Sequence, residues 1–372
     1  MVSEEDYMRR CFALAKKGQG CVSPNPMVGS VLVYDQRIIG EGFHHAYGQG
    51  HAEVNAIASV GKDFDLLKKC TLYVNLEPCS HYGKTPPCAE KIIACGIPKV
   101  VLSCADPNDK VNGKGVQLLR MAGVEVKEHV LEQEGRNLNR RFFTYVEKKR
   151  PYIIVKWAQS IDGFIAPWSL QSESVSVPQG SYPITDYKLS IVNHSYRAQE
   201  DAIMVGTQTL INDNPCLNIR DYAGKNPIRI TWDLHARLPW NLHFFDGSQP
   251  SFLVVNAKDA ERYSDLEKGK LTHKVELLKI DLDSEISPLQ QVLSLLYQAK
   301  VSSLIVEGGQ KLINAFILEN LWDEARVFTS LQALGSGYNA PSLPPTNKGN
   351  AGCTQMVGTQ FIRLLKNGSQ AL

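Results

Sequence analysis

The chain of 372 residues is long enough for two or three domains, and its 43% hydrophobic and 21% charged residues are ordinary for a globular protein, which excludes a disordered or fibrous chain. The formal net charge is +2. Residues 1–150 contain 21 basic and 17 acidic residues, and the rest of the chain contains 19 basic and 21 acidic residues. Neither part has the strong basic excess that is typical of a nucleic-acid-binding protein. The sequence contains no run of about 18 apolar residues, which excludes a transmembrane helix. The acidic first residues lack the apolar core of a secretory signal, so we expect a cytosolic protein.

Strand-like and helix-like segments alternate through residues 1–147. Short apolar runs predict the strands, and apolar residues at helical spacing predict the helices between them. This alternation indicates an α/β fold built on a layered sheet. The predicted strands are Ser30–Tyr34, Cys70–Asn75, Lys99–Ser103 and Gly123–Val126, and the predicted helices are Glu4–Lys17, Glu53–Val60, Cys88–Cys95 and Val116–Met121.

The charged run Glu147–Arg150, followed by Pro151, is the best candidate for a domain boundary, because proline discourages a helix from continuing through it. A second α/β unit follows, and we predict domains at residues 1–147 and 151–372. Residues 167–183 are predicted to form a loop, and the tail after Leu334 is predicted to be irregular until Thr359. The predicted strands of the second unit are Tyr152–Lys156, Asp201–Val205, Pro227–Thr231, Ser251–Val255, Ser303–Glu307 and Ala325–Thr329.

Three short segments of the first part carry metal-binding residue types: His51-Ala-Glu53, Pro78-Cys79 and Pro87-Cys88. Two thiolates and one imidazole are good zinc ligands, and three protein ligands leave a fourth position for water. Zinc at such a site activates that water as the nucleophile for a hydrolytic deamination. We therefore predict that His51, Cys79 and Cys88 are zinc ligands and that Glu53 is the catalytic proton carrier.

Local geometry supports this assignment. Residues two apart on a helix do not share a face, so His51 and Glu53 can converge only if His51 stands at the helix start. Cys79 follows a predicted strand, and Cys88 opens the next helix after two prolines, where exposed backbone amides stabilise a thiolate. A purely structural zinc is disfavoured because it usually has four protein ligands. The other cysteines of this long chain are predicted to be free thiols.

The pattern His-x-Glu, then Pro-Cys and a second Cys, is the signature of zinc-dependent base deaminases, although here eight residues separate the two cysteines. The stretch Leu76–Cys88 closely resembles the deaminase half of the bifunctional riboflavin-biosynthesis deaminase/reductases, as do Pro24–Gly29, His51–Val54 and Asp106–Asn108. The resemblance implies a cytidine-deaminase-like three-layer α/β/α domain. It also implies that five residues hold a ribose-phosphate substrate, namely Asn25, His44, Lys84, Asp106 and Asn108.

In the second part, Ile305–Gly309 ends in a Gly pair before a helical pattern over Gln310–Glu319, an arrangement that can bind a cofactor phosphate. It is not the G-x-G-x-x-G pattern of a Rossmann domain. Lys156–Gly163, Ala202–Thr207 and Asn212–Pro215 resemble the reductase half of the same family, which implies a dihydrofolate-reductase-like α/β domain that uses NADPH.

The reductase resemblance also implies functional residues. We expect Ala158, Thr209, Asp213 and Gly309 to contact the cofactor. We expect Lys156, near the reacting centre, and Ser181, Arg197, Leu217, Arg220 and Glu307 to contact the substrate. The arginines suit a phosphate because a guanidinium can bind it bidentately. Pro183 and Leu234 depart from the family pattern at the cofactor edge.

The resemblance implies two successive steps of riboflavin biosynthesis. Zinc-dependent deamination of a diaminopyrimidinone ribosylamine phosphate would precede NADPH-dependent reduction of its ribosyl group to ribityl. We expect a small-molecule phosphoribosylaminopyrimidine substrate, no nucleic-acid or membrane partner, and a homo-oligomer, a dimer or larger. Three alternatives stay open: a deaminase with a catalytically silent second domain, an RNA-base deaminase, and a zinc-stabilised scaffold without activity.

Overall fold

A computed structural model of the chain describes residues 2–61, 63–82, 86–108, 111–167, 184–263, 274–344, 352–358 and 360–368. The chain divides into two compact units, Met1–Lys149 and Arg150–Ala371. Among the described residues, no helix has both the length and the apolar character needed to cross a membrane.

The first unit is built on a five-stranded sheet in the order β2-β1-β3-β4-β5. Strand β1 pairs antiparallel with β2 and β3, whereas β3, β4 and β5 are parallel. The carboxyl ends of β3 and β4 therefore meet at one edge of the sheet. The strands are β1 (Gly29–Tyr34), β2 (Arg37–Phe43), β3 (Thr71–Leu76), β4 (Lys99–Cys104) and β5 (Glu125–Lys127).

Helices cover both faces of this sheet, because successive strand residues point to opposite sides. Leu72 of β3 packs with α2, α4 and α5 on one face, and Tyr73 packs with α1 on the other. The three-layer α/β/α prediction is thereby confirmed. The helices are α1 (Glu4–Ala15), α2 (Ala52–Ser59), α3 (Phe64–Leu67), α4 (Cys88–Ala94), α5 (Lys114–Met121), α6 (Glu132–Leu138) and α7 (Arg140–Lys148).

The second unit contains a nine-stranded sheet in the order β11-β10-β9-β8-β12-β6-β13-β16-β15. The strands from β11 to β13 are parallel, and β16 and β15 add to one edge antiparallel. Strands β7 and β14 lie outside this sheet and pair antiparallel with each other. The strands of the unit are β6 (Tyr152–Gln159), β7 (Phe164–Ala166), β8 (Ala202–Val205), β9 (Ile228–Trp232), β10 (Ser251–Asn256), β11 (Val275–Ile280), β12 (Ser303–Gly308), β13 (Glu324–Thr329), β14 (Tyr338–Asn339), β15 (Cys353–Val357) and β16 (Gln360–Lys366).

Two apolar clusters cover the two faces of the larger sheet, one containing Val155 and Val306 and the other Ile154 and Ile305. Strand β12 lies between β8 and β6, so the carboxyl ends of these three parallel strands share one edge. Ligands of open α/β sheets bind at such an edge. The helices of this unit are α8 (Tyr187–Arg197), α9 (Thr207–Asp213), α10 (Pro288–Gln298) and α11 (Gln310–Leu318).

A buried ion pair fixes the start of the second unit. The Arg150 guanidinium donates to both carboxylate oxygens of Asp323, at 2.6 and 2.9 Å, and Asp323 also accepts from the Ile153 amide. The charged run that marks the boundary in the sequence thus ends in an arginine that belongs to the fold of the second unit.

The predicted tail is wrong in two parts. Residues Tyr338–Asn339 form the short strand β14 and Cys353–Val357 form β15, although the chain from Leu334 to Thr359 is predicted to be irregular. Four of the five residues of β15 are exposed. An exposed edge strand lacks the regular alternation of apolar and polar residues from which a strand is predicted. The predicted loop at residues 167–183 lies, except for Pro167, outside the described residues.

Candidate active sites

The predicted zinc ligands come together in the first unit. His51 Nδ1 lies 3.2 Å from Cys88 Sγ and 3.5 Å from Cys79 Sγ, and the three ligand atoms lie within 4.8 Å of one another. One imidazole nitrogen and two sulfurs at this spacing fit a tetrahedral zinc ion that keeps one position for water.

Local structure explains how these three side chains converge. His51 is the extended N-cap of α2, Cys88 is the first residue of α4, and Cys79 follows β3. The amide of Cys88 donates to Cys79 Sγ at 3.3 Å. The expected positions of His51 and Cys88 at helix starts are confirmed.

The electrostatics of the site favour deprotonation of one of the two sulfurs, that of Cys79. The pKa of Cys79 is lowered to about 4, mainly by its hydrogen bond with the Cys88 thiol, whereas the same bond and burial raise the pKa of Cys88. A thiolate is the form of cysteine that binds a metal.

Glu53 lies in the first turn of α2 with only 4% of its surface exposed. Burial raises its pKa to about 7, so the carboxyl group can both accept and donate a proton near neutral pH. The Cys88 side chain also interacts with it, which places the carboxyl group beside the metal ligands.

His44 and Asn25 lie next to this cluster. The His44 ring packs edge-on against His51 with centroids 5.6 Å apart. His44 Nδ1 lies 3.2 Å from the Gly50 carbonyl oxygen and Nε2 lies 3.2 Å from Asn25 Nδ2. This pattern assigns a neutral ring that donates from Nδ1 and accepts at Nε2, in keeping with the lowered pKa that burial gives His44.

Asp106 lies in the loop that follows β4, and its Oδ1 accepts from the Asn108 amide at 2.8 Å. Burial, together with the negative charges of Glu77 and Cys79, raises the pKa of Asp106 to about 6. Asp106 follows β4 and Cys79 follows β3, so both lie at the edge where the carboxyl ends of these adjacent parallel strands meet. Lys84, the remaining predicted substrate residue, lies outside the described residues.

Sequence reasoning missed residues that support this site. Asn139, between α6 and α7, accepts from the Met27 amide and donates to its carbonyl oxygen, at 2.8 and 2.9 Å. Asn75 donates to the same carbonyl oxygen. These two buried asparagines hold the segment that carries Asn25. Asn139 is 112 residues from Met27, so no local pattern could have revealed the contact.

A second cluster occupies the carboxyl edge of the larger sheet. The Arg197 guanidinium, from α8, donates to both carboxylate oxygens of Glu307 at 2.9 and 2.8 Å. Lys156 Nζ lies 3.7 Å from Glu307 Oε2 and 4.7 Å from the centre of the Phe328 ring. Lys156 and Glu307 follow the paired residues Val155 and Val306 on adjacent parallel strands, which places them side by side.

Charge balance within this cluster determines its protonation. Burial alone would raise the pKa of Glu307, but the charges of Arg197 and Lys156 outweigh it and lower the pKa to about 2. Burial lowers the pKa of Lys156, an effect that the Glu307 charge opposes. Glu307 is therefore an anion at neutral pH, and Lys156 gives up its proton more readily than an exposed lysine.

The loop after α9 brings further predicted residues to this cluster. The Asn218 carbonyl oxygen accepts from Arg197, and its side chain accepts from Arg220 at 3.1 Å. Leu217 is buried in the apolar cluster on the same face of the sheet. The Arg197 guanidinium is thus paired with Glu307, whereas the exposed guanidinium of Arg220 has one hydrogen-bond partner among the described residues, Asn218. Ser181 and Pro183 lie outside the described residues.

The predicted cofactor residues lie along the same edge. Gly309 has φ +62°, which favours glycine, and a Cβ there would come within 3.3 Å of Thr209 Oγ1. Gly309 is the N-cap of α11, and Asp213 ends α9 with a pKa that burial raises. Ala158, on β6, pairs with Phe328 of β13. Leu234 packs against the apolar cluster on the opposite face of the sheet.

Comparison with known proteins finds a different family model for each of the two units. Residues 1–104 match the model of the cytidine and deoxycytidylate deaminase zinc-binding region. Residues 151–360, more than half of the chain, match the model of the RibD C-terminal domain.

Similar proteins cover both units. The riboflavin biosynthesis protein RibD of Aquifex aeolicus is 37% identical over 342 residues, which are 91% of this chain and 90% of that protein. Two solved structures are also similar. One is a diaminohydroxyphosphoribosylaminopyrimidine deaminase/5-amino-6-(5-phosphoribosylamino)uracil reductase from Thermotoga maritima, with 36% sequence identity and a TM-score of 0.81. The other is RibD of Acinetobacter baumannii, with 30% sequence identity and a TM-score of 0.82. Each comparison covers 98% of both chains. With this identity over nearly its whole length, the chain belongs to the RibD family of riboflavin-biosynthesis proteins.

Proposed function

We propose that the unit Met1–Lys149 deaminates a diaminopyrimidinone ribosylamine phosphate and that the unit Arg150–Ala371 then reduces its ribosyl group to ribityl. The chain is a bifunctional enzyme of riboflavin biosynthesis, a zinc-dependent deaminase and an NADPH-dependent reductase that acts on small pyrimidine substrates. The observation that carries the deaminase assignment is the cluster of His51, Cys79 and Cys88 with the buried carboxyl group of Glu53 beside it.

In the deaminase site, His51 Nδ1, Cys79 Sγ and Cys88 Sγ are the proposed ligands. Zinc bound there supplies the activation of water at neutral pH. Glu53 accepts a proton from the attacking water and delivers it to the exocyclic nitrogen, so that a carbon–oxygen bond forms, the carbon–nitrogen bond breaks and ammonia leaves. Its pKa of about 7 suits both directions of this transfer.

The remaining residues of the first site hold the substrate. His44 and Asn25 present a fixed pair of polar side chains next to the metal ligands, because the Gly50 carbonyl oxygen orients the His44 ring. Asp106 and Asn108 offer hydrogen bonds from the opposite loop, and Lys84 offers a cation for the phosphate.

In the reductase site, Lys156, Glu307 and Arg197 surround the proposed position of the reacting ribosyl carbon. NADPH supplies the hydride. The Lys156 ammonium donates the accompanying proton, which its lowered pKa favours, while Glu307 keeps the ammonium in place. The exposed cation of Arg220 binds the substrate phosphate.

Other residues complete the two binding surfaces of this site. Leu217 and Ser181 contact the substrate, whereas Gly309, Thr209, Ala158 and Asp213 contact the cofactor. Gly309 and Thr209 support this role because they lie against each other where α11 begins, at the carboxyl end of β12.

One assay tests both activities. We would incubate the zinc-loaded protein with the diaminopyrimidinone ribosylamine phosphate and NADPH and follow ammonia release and NADPH consumption in the same sample. We expect both, with NADPH consumption dependent on prior deamination. Ammonia without NADPH consumption would instead support a catalytically silent second domain, and release of neither would contradict the proposal.

We further propose a cytosolic location and a homo-oligomer, a dimer or larger. None of the nine cysteines forms a disulfide, which agrees with a reducing compartment. Cell fractionation tests the location, and light scattering during size-exclusion chromatography tests the assembly, where a monomer at micromolar concentration would contradict it.

A further inference from the structure

A buried carboxylate that the mechanism does not use lies between the metal ligands and the loop that joins β4 to α5, which carries Asp106 and Asn108 and is called the substrate loop below. Glu77 follows β3 and precedes Pro78 and Cys79, and only 4% of its surface is exposed. Its Oε2 accepts from the amides of Asp106 and Gly113 at 3.2 and 3.0 Å.

The other oxygen of Glu77 caps a helix. Its Oε1 accepts from the amides of Gly115 and Val116, at 2.9 and 3.2 Å, in the first turn of α5. The first amides of a helix have no partner within the helix, and its N-terminus favours a negative charge. Among the described residues, the hydrogen-bond partners of this carboxylate are backbone amides, and they compensate for the loss of water around it.

The four bonds connect three parts of the deaminase site. They link the turn that carries Cys79 to Asp106 at one end of the substrate loop and to Gly113 and α5 at the other end. The helix approaches this turn closely, since a Cβ at Gly115 would lie 2.0 Å from the Pro78 carbonyl oxygen. The distance between the metal ligands and the loop is thereby fixed.

We propose that Glu77 is a positioning residue of the deaminase that holds Asp106 and Asn108 at the correct place relative to the metal site. This inference rests on the proposed function, in which those two residues hold the substrate. A glutamine has the same shape, but its amide nitrogen cannot accept hydrogen bonds, so two of the four amides lose their partner. Either the loop end or the helix start is then released.

Glu77→Gln tests the inference in the full-length, zinc-loaded enzyme. We expect the deaminase KM to rise at least tenfold, with a smaller change in kcat, unchanged zinc content and unchanged NADPH consumption on deaminated substrate. Glu77→Asp retains the charge but has a shorter side chain, so it should restore part of the affinity. Asp63→Asn is the matched control, because Asp63 caps α3 at the opposite end of β3 and should leave KM unchanged.

A double-substitution cycle with Asp106→Asn separates positioning from a general effect on the fold. If Glu77 acts through the loop, the combined variant should lose much less affinity than the sum of the single losses. Additive losses, an unchanged KM, or loss of zinc in both Glu77 variants would overturn the inference.

If Glu77→Gln raises KM but Asp106→Asn does not, the substrate role of Asp106 is wrong and the inference fails with it. A wild-type protein that releases no ammonia would contradict the proposed function itself.

Discussion

Glu53 is the residue on which the deaminase chemistry depends most directly. Because general acid–base catalysis contributes about 10²–10⁴-fold, Glu53→Gln should lower ammonia release by at least about 100-fold. The metal ligands are unchanged, so zinc content by elemental analysis should stay equal to that of the wild type. A scaffold protein would show no activity to lose. Glu125→Gln, on the exposed edge strand β5, is the control and should retain full activity.

Glu307 makes stability depend on pH in a defined direction. Its pKa is about 2 in the folded chain against an ordinary value of 4.5, so its stabilising contribution is complete above about pH 4.5 and is lost as the pH falls towards 2. A shift of this size corresponds to a few kcal/mol. Glu307→Gln should lower the stability of the second unit at neutral pH and weaken its dependence on pH between about 5 and 2.

Tryptophan fluorescence during urea unfolding measures this effect, because all five tryptophans lie in the second unit. The exposed Glu276 on β11 provides the control, and Glu276→Gln should keep the wild-type pH dependence. Equal pH dependence for Glu307→Gln and the wild type would show that Arg197 and Lys156 do not stabilise the ionised carboxylate.

Single residues of the deaminase site were well predicted because short segments carry them. His51, Glu53, Cys79 and Cys88 stand in three segments whose residue types suffice to indicate zinc chemistry. Glu77 was missed although it stands next to one of them. Its hydrogen-bond partners are backbone amides, which every residue type except proline has. The residue types at positions 106 and 113–116 therefore do not reveal these hydrogen bonds.

At the scale of elements, the connection between α6 and α7 supports a loop far away in the chain. Asn139→Ala should release the Met27 segment, because two hydrogen bonds between Asn139 and the Met27 backbone are lost. We expect faster hydrogen–deuterium exchange in peptides that cover residues 22–29 and a several-fold rise in the deaminase KM. Gln133→Ala, on the exposed side of α6, should change neither.

Strands with continuous apolar runs were predicted well, whereas edge strands were predicted only in part. The five runs centred on Leu32, Tyr73, Val101, Ile154 and Ile305 all form central strands, and of the edge strands only β5 overlaps a predicted one, Gly123–Val126. Strand β2 was missed because Arg37, Glu41 and two glycines interrupt its apolar pattern. The helices α6 and α7 were missed too. The sequence of α6 is largely polar, and the short helix α7 is stabilised by packing Phe142 and Phe143 against Leu76 and Cys104 at the ends of β3 and β4.

At the scale of the whole molecule, each unit has its own site, so we expect the two activities to be separable. Glu53→Gln should abolish ammonia release only, and Lys156→Met should abolish NADPH consumption on deaminated substrate only. A mixture of the two variants should therefore convert substrate through both steps. Ammonia release and NADPH consumption, followed together, measure this complementation.

Each variant alone is the control for the mixture. Continued ammonia release without NADPH consumption in the mixture would contradict the expectation, because it would mean that the deaminated product reaches a reductase site only within its own chain.

The order of strands in the second unit could not be predicted from the sequence. Strand β12 pairs with β6, although about 150 residues separate them, and this pairing creates the cluster of Lys156 and Glu307. Local patterns identify strands but not their partners. The resemblance to a known family supplied the residues of this site, and the physical pattern alone supplied only the Gly308–Gly309 turn.

The close approach of α5 to the zinc-binding turn also limits how the sequence can vary. Any side chain at position 115 would collide with the Pro78 carbonyl oxygen, 2.0 Å from the site of its Cβ, and would push the helix away from Glu77. In a saturation mutagenesis experiment that selects for riboflavin synthesis, position 115 should therefore tolerate no replacement of glycine. Its intolerance would equal that of a metal ligand, although the residue contributes no side chain to chemistry or binding.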